Sequence, residues 1–162
     1  MMLKRSAGLL MYRWKQDGIE VFLVHPGGPY WAKKDLGAWT IPKGEYDNDE
    51  EPFAAAQREF LEETGFTANG EFLSLGVVRQ RSGKLVTAWA FLGDCDPTQL
   101  KSNSCKIEWP PKSGKQLQIP EIDRGRWFAI NDARRYIREE LEQLLLRLIP
   151  LLAHEKNANE AE

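Results

Sequence analysis

Between Gly44 and Phe66 the chain carries the one stretch whose spacing constrains both its shape and its chemistry. Pro52 suits the first turn of a helix, where its missing N–H costs no hydrogen bond, and Gly65 suits the left-handed residue that ends one. The spacing therefore predicts a helix over 52–64. Within it, Arg58, Glu59, Glu62 and Glu63 recur at separations of three and four, so Glu59 lies over both Glu62 and Glu63 on one face. Like charges so placed destabilise an isolated helix by about 0.2–0.5 kcal/mol per pair, and three together call for a compensating cation. Hard carboxylate oxygens with no Cys or His beside them suit Mg²⁺ or Mn²⁺ rather than zinc. Phe53, Ala56 and Phe60 form an opposing face fit to bury against a sheet. Taken alone, the acidic run also fits a solvated helix face with Arg58 as an ordinary surface charge.

Strand-like segments surround this helix. Apolar runs at Ser6–Trp14 and Ile19–His25, joined through Asp17-Gly18, predict a hairpin, as do Phe72–Arg79 and Leu85–Leu92 around Arg81-Ser82-Gly83-Lys84. A short strand is expected at Ala38–Ile41, a turn at Pro42-Lys43-Gly44, and a last strand at Arg126–Ile130. Residues 94–120 lack a regular pattern and read as a long irregular segment. Asn131 or Asp132 is then expected to cap a single helix whose stripe Ile137, Leu141, Leu144, Leu145 and Leu148 packs on the core. The length of 162 residues suits one domain, placed at 1–152, with 153–162 as a polar, disordered tail.

Composition narrows the chemistry. The 22 Lys plus Arg against 24 Asp plus Glu give a net charge of -2, which disfavours duplex nucleic acid as a partner. With His25 and His154 the only histidines and no GxSxG elbow, carboxylates are the expected catalysts. No apolar run approaches the roughly 20 residues that span a bilayer. Cys95 and Cys105 form no CxxC pair and read as unpaired thiols of a cytoplasmic protein.

Read in full, the segment runs Gly44, five residues, Glu50, seven residues, Arg58-Glu59-Phe60, Leu61, Glu62-Glu63, Thr64, Gly65-Phe66. It resembles the signature box of the Nudix hydrolases, departing mildly at Phe60, where the family more often has an aliphatic residue. Trp39–Gly44 is similar to the lead-in to that box, and Glu121, six residues before Trp127, to the family's frequent glutamate ahead of its last strand. The resemblance covers roughly Lys4 to Leu152. It implies an α/β/α sandwich with a mixed sheet and hydrolysis of a phosphoanhydride in a nucleoside diphosphate derivative, with Mg²⁺ as cofactor and Mn²⁺ as a substitute.

Carried over by residue, the resemblance makes Glu59, Glu62 and Glu63 metal ligands, with a backbone carbonyl of Lys43 or Gly44. Arg58 orients Glu59, Glu50 supports the loop and helix, and the general base is drawn from Glu62, Glu63 and Glu121, with Glu62 placed first. Lys43, Lys84 and Arg79 are candidates for substrate phosphates, as are Arg81, Lys112 and Lys115. Tyr30, Trp31 and Trp109 are candidates for stacking on a base, whereas Trp39 suits the core. The Pro-Lys-Gly turn is similar to that of dinucleoside polyphosphate hydrolases and of some oxidised-nucleotide hydrolases. Expected substrates are therefore dinucleoside polyphosphates or damaged nucleoside triphosphates, with nucleotide sugars or ADP-ribose as the alternative. A nucleotide-sensing module without catalysis would be expected to have lost carboxylates, and here all three stand. Monomer and homodimer are both compatible with the sequence.

Overall fold

The first strand is shared along its length between two partners on the same edge, and that sharing places the site. In the computed structural model, which describes residues 3–160 and only the backbone of 155–160, β1 (Arg5–Lys15) pairs antiparallel with β2 (Gly18–Pro26) only from Tyr12–Val21 to Lys15–Gly18. Before Tyr12 the partner is β3 (Lys43–Glu45), opposite Ser6–Gly8. The segment leading into the box is thus wedged between two diverging strands. The other edge of β1 pairs in parallel with β5 (Leu85–Leu92), which pairs antiparallel with β4 (Phe72–Arg79). The antiparallel strand β8 (Ile122–Ala129) closes the far side, giving the order β4-β5-β1-β2-β8.

Alternation along these strands builds a core on each face of the sheet. Ala7, Leu9 and Met11 of β1 point to α1 (Pro52–Thr64), joining Ala55, Ala56, Phe60, Phe22 and Phe91. Leu10 and Tyr12 point the other way, toward α2 (Ile130–Tyr136) and α3 (Glu142–Glu160), with Leu141, Leu144, Leu145 and Leu148. Each fully buried aliphatic side chain contributes roughly 1.5–3 kcal/mol, so both faces hold the sheet. This is the α/β/α arrangement with a mixed sheet.

Helix α1 spans the predicted residues. Gly65, at φ 80°, ends it by donating its N–H to the Leu61 carbonyl at 2.8 Å. Elsewhere the structure corrects the reading. Residues 38–41 form no ladder strand; Thr40 bridges Val24 and Trp39 bridges Ile137, while the expected turn at Lys43-Gly44 is strand β3. The supposedly irregular stretch contains a second sheet, the hairpin of β6 (Ser104–Glu108) and β7 (Gln116–Pro120). The last strand begins at Ile122, earlier than expected. The single C-terminal helix is broken, because the Trp39 backbone inserts itself: the Trp39 N–H donates to the Tyr136 carbonyl at 2.9 Å, and the Arg138 N–H donates to the Trp39 carbonyl at 2.8 Å. Ile137 is accordingly extended, at φ -69° and ψ 149°. The polar stretch expected as a tail continues α3 as far as Glu160, and residues 161–162 lie outside the described residues. Trp39 is fully buried, its indole N–H donating to Asp35 at 2.8 Å. No helix among the described residues is long and apolar enough to cross a membrane.

Candidate active site

Helix α1 contributes two buried carboxylates, and the entry to β8 contributes a third. Glu59 and Glu63 stand one turn apart on the helix, and Glu121 lies between β7 and β8, where its N–H donates to the Asn103 carbonyl and its own carbonyl accepts from Gly27, both at 2.9 Å. One carboxylate oxygen from each of Glu59, Glu63 and Glu121 lies within 4.8 Å of the other two. Beneath them runs β3. A Cβ at Gly44 would come within 2.0 Å of the Glu59 carboxyl carbon, so only glycine lets the strand pass under that side chain. The Lys43 N–H donates to Glu63 Oε2 at 3.0 Å and fixes the other carboxylate.

Arg58 organises the outer side. Its Nε and Nη2 clasp both oxygens of Glu50 at 2.8 Å, while Nη1 donates to Glu59 at 2.8 Å and to Glu62 at 3.2 and 3.3 Å. A bidentate clasp of this kind fixes direction as well as charge. Glu62 therefore sits with Arg58, outside the three-carboxylate cluster, where the helix spacing placed it level with Glu63. The Glu50 hydrogen bonds push the Arg58 pKa up, and Arg58 holds Glu50 below the usual carboxylate range.

The buried carboxyls are pushed the other way. Burial raises Glu63 well above the ordinary value against the opposing Lys43 N–H, and it raises Glu59 against the pull of Arg58. Burial, then the charge of Glu62, raises Glu121. Carboxyls so crowded have too little positive charge among the protein's own side chains, and an all-oxygen set of this kind fits a hard divalent cation. Their raised values carry a sign for stability. Between the unfolded value and the raised folded value the folded state binds more protons, so stability contributed below the unfolded pKa is lost as pH rises through the folded pKa. Glu50 and Glu45, held low by Arg58 and Lys84, act in a separate window, losing their contribution only at more acid pH. The melting temperature in EDTA is therefore expected to fall as pH rises above the ordinary carboxylate range, and saturating Mg²⁺ is expected to remove most of that fall. A flat or rising metal-free profile in thermal melts would contradict the assignment.

The cluster opens into a cleft of about 280 Å³ lined by Gly27, Trp31, Lys43, Glu63, Cys105, Ile119, Glu121 and Arg138 among others. Of the expected substrate-binding residues, Lys43 and Trp31 line it. Lys84 instead pairs with Glu45 at 2.8 Å, and Arg79 lies exposed on edge strand β4. Tyr30 is exposed beside Trp31, its ring under the Lys34 ammonium at 3.6 Å. The loop carrying these aromatics is tied down by buried His25, whose Nε2 lies 2.7 Å from the Lys34 carbonyl and whose Nδ1 lies 3.0 Å from Asp123. Arg138 had no sequence signal, being one of four arginines in the stretch that reads as a single helix, with Arg134, Arg135 and Arg147. Both cysteines are free.

A mixed sheet between helices, with glutamates converging on a cleft, is the arrangement that the resemblance to the Nudix hydrolases implies. The chain matches the NUDIX domain family over residues 2–152 and belongs to it. It is similar to an uncharacterized 17.7 kDa protein of the e-segB intergenic region of Enterobacteria phage T4, with 35% identity over 121 residues, 73% of this chain and 77% of that protein. Among solved structures, the C. elegans Ap4A hydrolase binary complex is 25% identical, with a TM-score of 0.63 over 94% of this chain and 99% of that one. The NUDIX domain of Shewanella oneidensis NrtR complexed with ADP ribose shares the fold at 16% identity, with a TM-score of 0.63 over 94% and 90% of the two chains.

Proposed function

We propose that this Nudix hydrolase cleaves a phosphoanhydride of a soluble dinucleoside polyphosphate in a Mg²⁺-dependent reaction. The observation that carries the reading is the convergence of Glu59, Glu63 and Glu121 on one point beneath a cleft that also offers Lys43 and Arg138. An anionic pyrophosphate can approach such carboxylates only when cations bridge them. Glu59 and Glu63 would hold the ion, with Glu121 facing it and the Gly44 backbone close beneath. When bound, the cation neutralises charge on the anhydride and makes water a competent nucleophile at neutral pH.

The remaining work falls to side chains. Arg58 and Glu50 keep the Glu59 carboxylate from turning away, Lys43 meets phosphate oxygens, and Trp31 offers a ring for a base. Glu121 already faces the cleft and is assigned the proton of the attacking water. Glu62, paired with Arg58, supports that arrangement. Choice of substrate rests on the likeness, at 25% identity, to the C. elegans Ap4A hydrolase along nearly the whole chain, together with the Pro42-Lys43-Gly44 segment.

The test is a panel of diadenosine tetraphosphate, oxidised nucleoside triphosphates, ADP-ribose and nucleotide sugars with Mg²⁺ or Mn²⁺, products being resolved by ion-exchange chromatography. Diadenosine tetraphosphate is expected to be cleaved fastest, and EDTA to stop the reaction. Faster cleavage of another panel member would replace the substrate, and binding without cleavage of any would favour a sensing module.

A further inference from the structure

Two cavities meet at one pair of side chains. Beyond the catalytic cleft lies a second cavity of about 300 Å³, lined by Trp31, Gly37, Arg81, Arg138, Glu139 and Glu140. Trp31 and Arg138 line both. The Arg138 guanidinium stands 5.3 Å from the centre of the Trp31 ring, within cation–π range, and pairs with Glu140 at 3.1 Å. Its backbone is fixed by the bond to the Trp39 carbonyl at the break between α2 and α3.

Glu140 is itself fixed. It accepts from the Arg81 N–H at 2.8 Å and from the side chain of buried Gln80 at 3.0 Å, both from the turn joining β4 to β5. An arginine thus held keeps its planar fork oriented with little further loss of freedom on binding. Among the residues lining the catalytic cleft, Lys43 and Arg138 are the cations. The second cavity has a different balance. Arg81 pairs with Glu139 at 2.7 Å and Arg138 with Glu140, leaving carboxylate acceptors and an aromatic face but no excess cation. That is a setting for a neutral polar group such as a nucleoside, whose hydroxyls donate to carboxylates and whose base stacks.

We propose that Arg138 is a phosphate-binding residue at the passage between the two cavities, positioned by Glu140, and that the second cavity receives the nucleoside at the far end of the polyphosphate. The proposal rests on the reading of the substrate as a dinucleoside polyphosphate. It divides the substrate at Trp31: the scissile anhydride lies over Glu59, Glu63 and Glu121, and the distal phosphate meets Arg138.

The experiment measures binding, by calorimetry in Mg²⁺, of the methylene-bridged analogue of diadenosine tetraphosphate, together with hydrolysis of the parent compound. Losing one charge-assisted contact to phosphate is expected to raise the analogue's Kd about 10–100-fold in Arg138→Gln. KM should rise in parallel while kcat stays within about threefold, the mark of binding shared by ground and transition states. Arg138→Lys, which keeps charge but loses the fork, is expected to give a smaller rise of about 3–10-fold and carries the test should Arg138→Gln fail to fold. Glu140→Gln is expected to raise Kd, with recovery of neither fork nor affinity on raising Mg²⁺. A Kd within twofold of wild type in the folded Arg138 variants overturns the proposal, as does a lower kcat and melting temperature at unchanged KM, or no binding of the analogue by the wild type. Arg138-dependent binding by a wild type that cleaves nothing overturns the proposed hydrolysis and leaves the binding residue standing.

Discussion

Glu63→Gln is expected to lower turnover on the order of 10³-fold while raising the metal-free melting temperature at neutral pH. The two effects have one cause. Glu63 is buried, its charge is disfavoured by burial and by its neighbours Glu59 and Glu121, and the Lys43 N–H and the Lys43 ammonium answer it only in part. An amide keeps the shape and can still accept from Lys43 through its oxygen, but it removes the charge that would hold a cation. A rise in melting temperature in EDTA, beside a collapse of kcat, separates loss of the metal site from loss of the fold. Glu62→Gln is the internal control. Its carboxylate lies with Arg58 outside the three-residue cluster, so a loss of only about tenfold is expected, from looser positioning of Arg58 and Glu59. Equal losses in both variants would mean that Glu62 leaves Arg58 and joins the cluster.

Gly44→Ala carries the second large effect. The added methyl would sit 2.0 Å from the Glu59 carboxyl carbon and 2.2 Å from one of its oxygens. Strand β3 is held against β1 through Ala7 and cannot withdraw freely, so the carboxylate must move. Misplacing a catalytic group by about 1 Å costs on the order of 10²-fold in rate, and overpacking costs about 1–3 kcal/mol of stability. Turnover and denaturant unfolding should both register the change. If activity were retained, the Glu59 carboxylate would not be the group whose position matters.

The legible parts of the fold were those with local signals. Pro52 and Gly65 bracket α1 because each acts through its own backbone, and the apolar runs of β1, β2, β4 and β5 alternate against two buried faces. The β6–β7 hairpin carries only a faint signal because its residues are largely exposed: Cys105 and Ile107, and Leu117 and Ile119, recur at a spacing of two, but over just five residues in each strand and between prolines and charges. The break at Ile137 was hidden for the opposite reason, since the apolar stripe continues across it while its cause, the Trp39 backbone, lies far off in the sequence.

The site divides in the same way. Helical spacing brought Glu59 and Glu63 together and put Glu62 on the same face, but it could not say that Arg58 would draw Glu62 aside. Glu121 was reachable only through the family pattern. Arg138 had no signal at all, because its place is set by two partners, Trp31 and Glu140, that meet only in the folded chain.

The most direct test of the metal site is anomalous scattering from crystals soaked in Mn²⁺, collected for the wild type and Glu63→Gln. The wild type is expected to show a peak about 2.0–2.3 Å from carboxylate oxygens of both Glu59 and Glu63, absent in the variant. A wild type that hydrolyses its substrate in Mn²⁺ yet shows no peak between Glu59, Glu63 and Glu121, or one that persists unchanged in Glu63→Gln, would contradict the account.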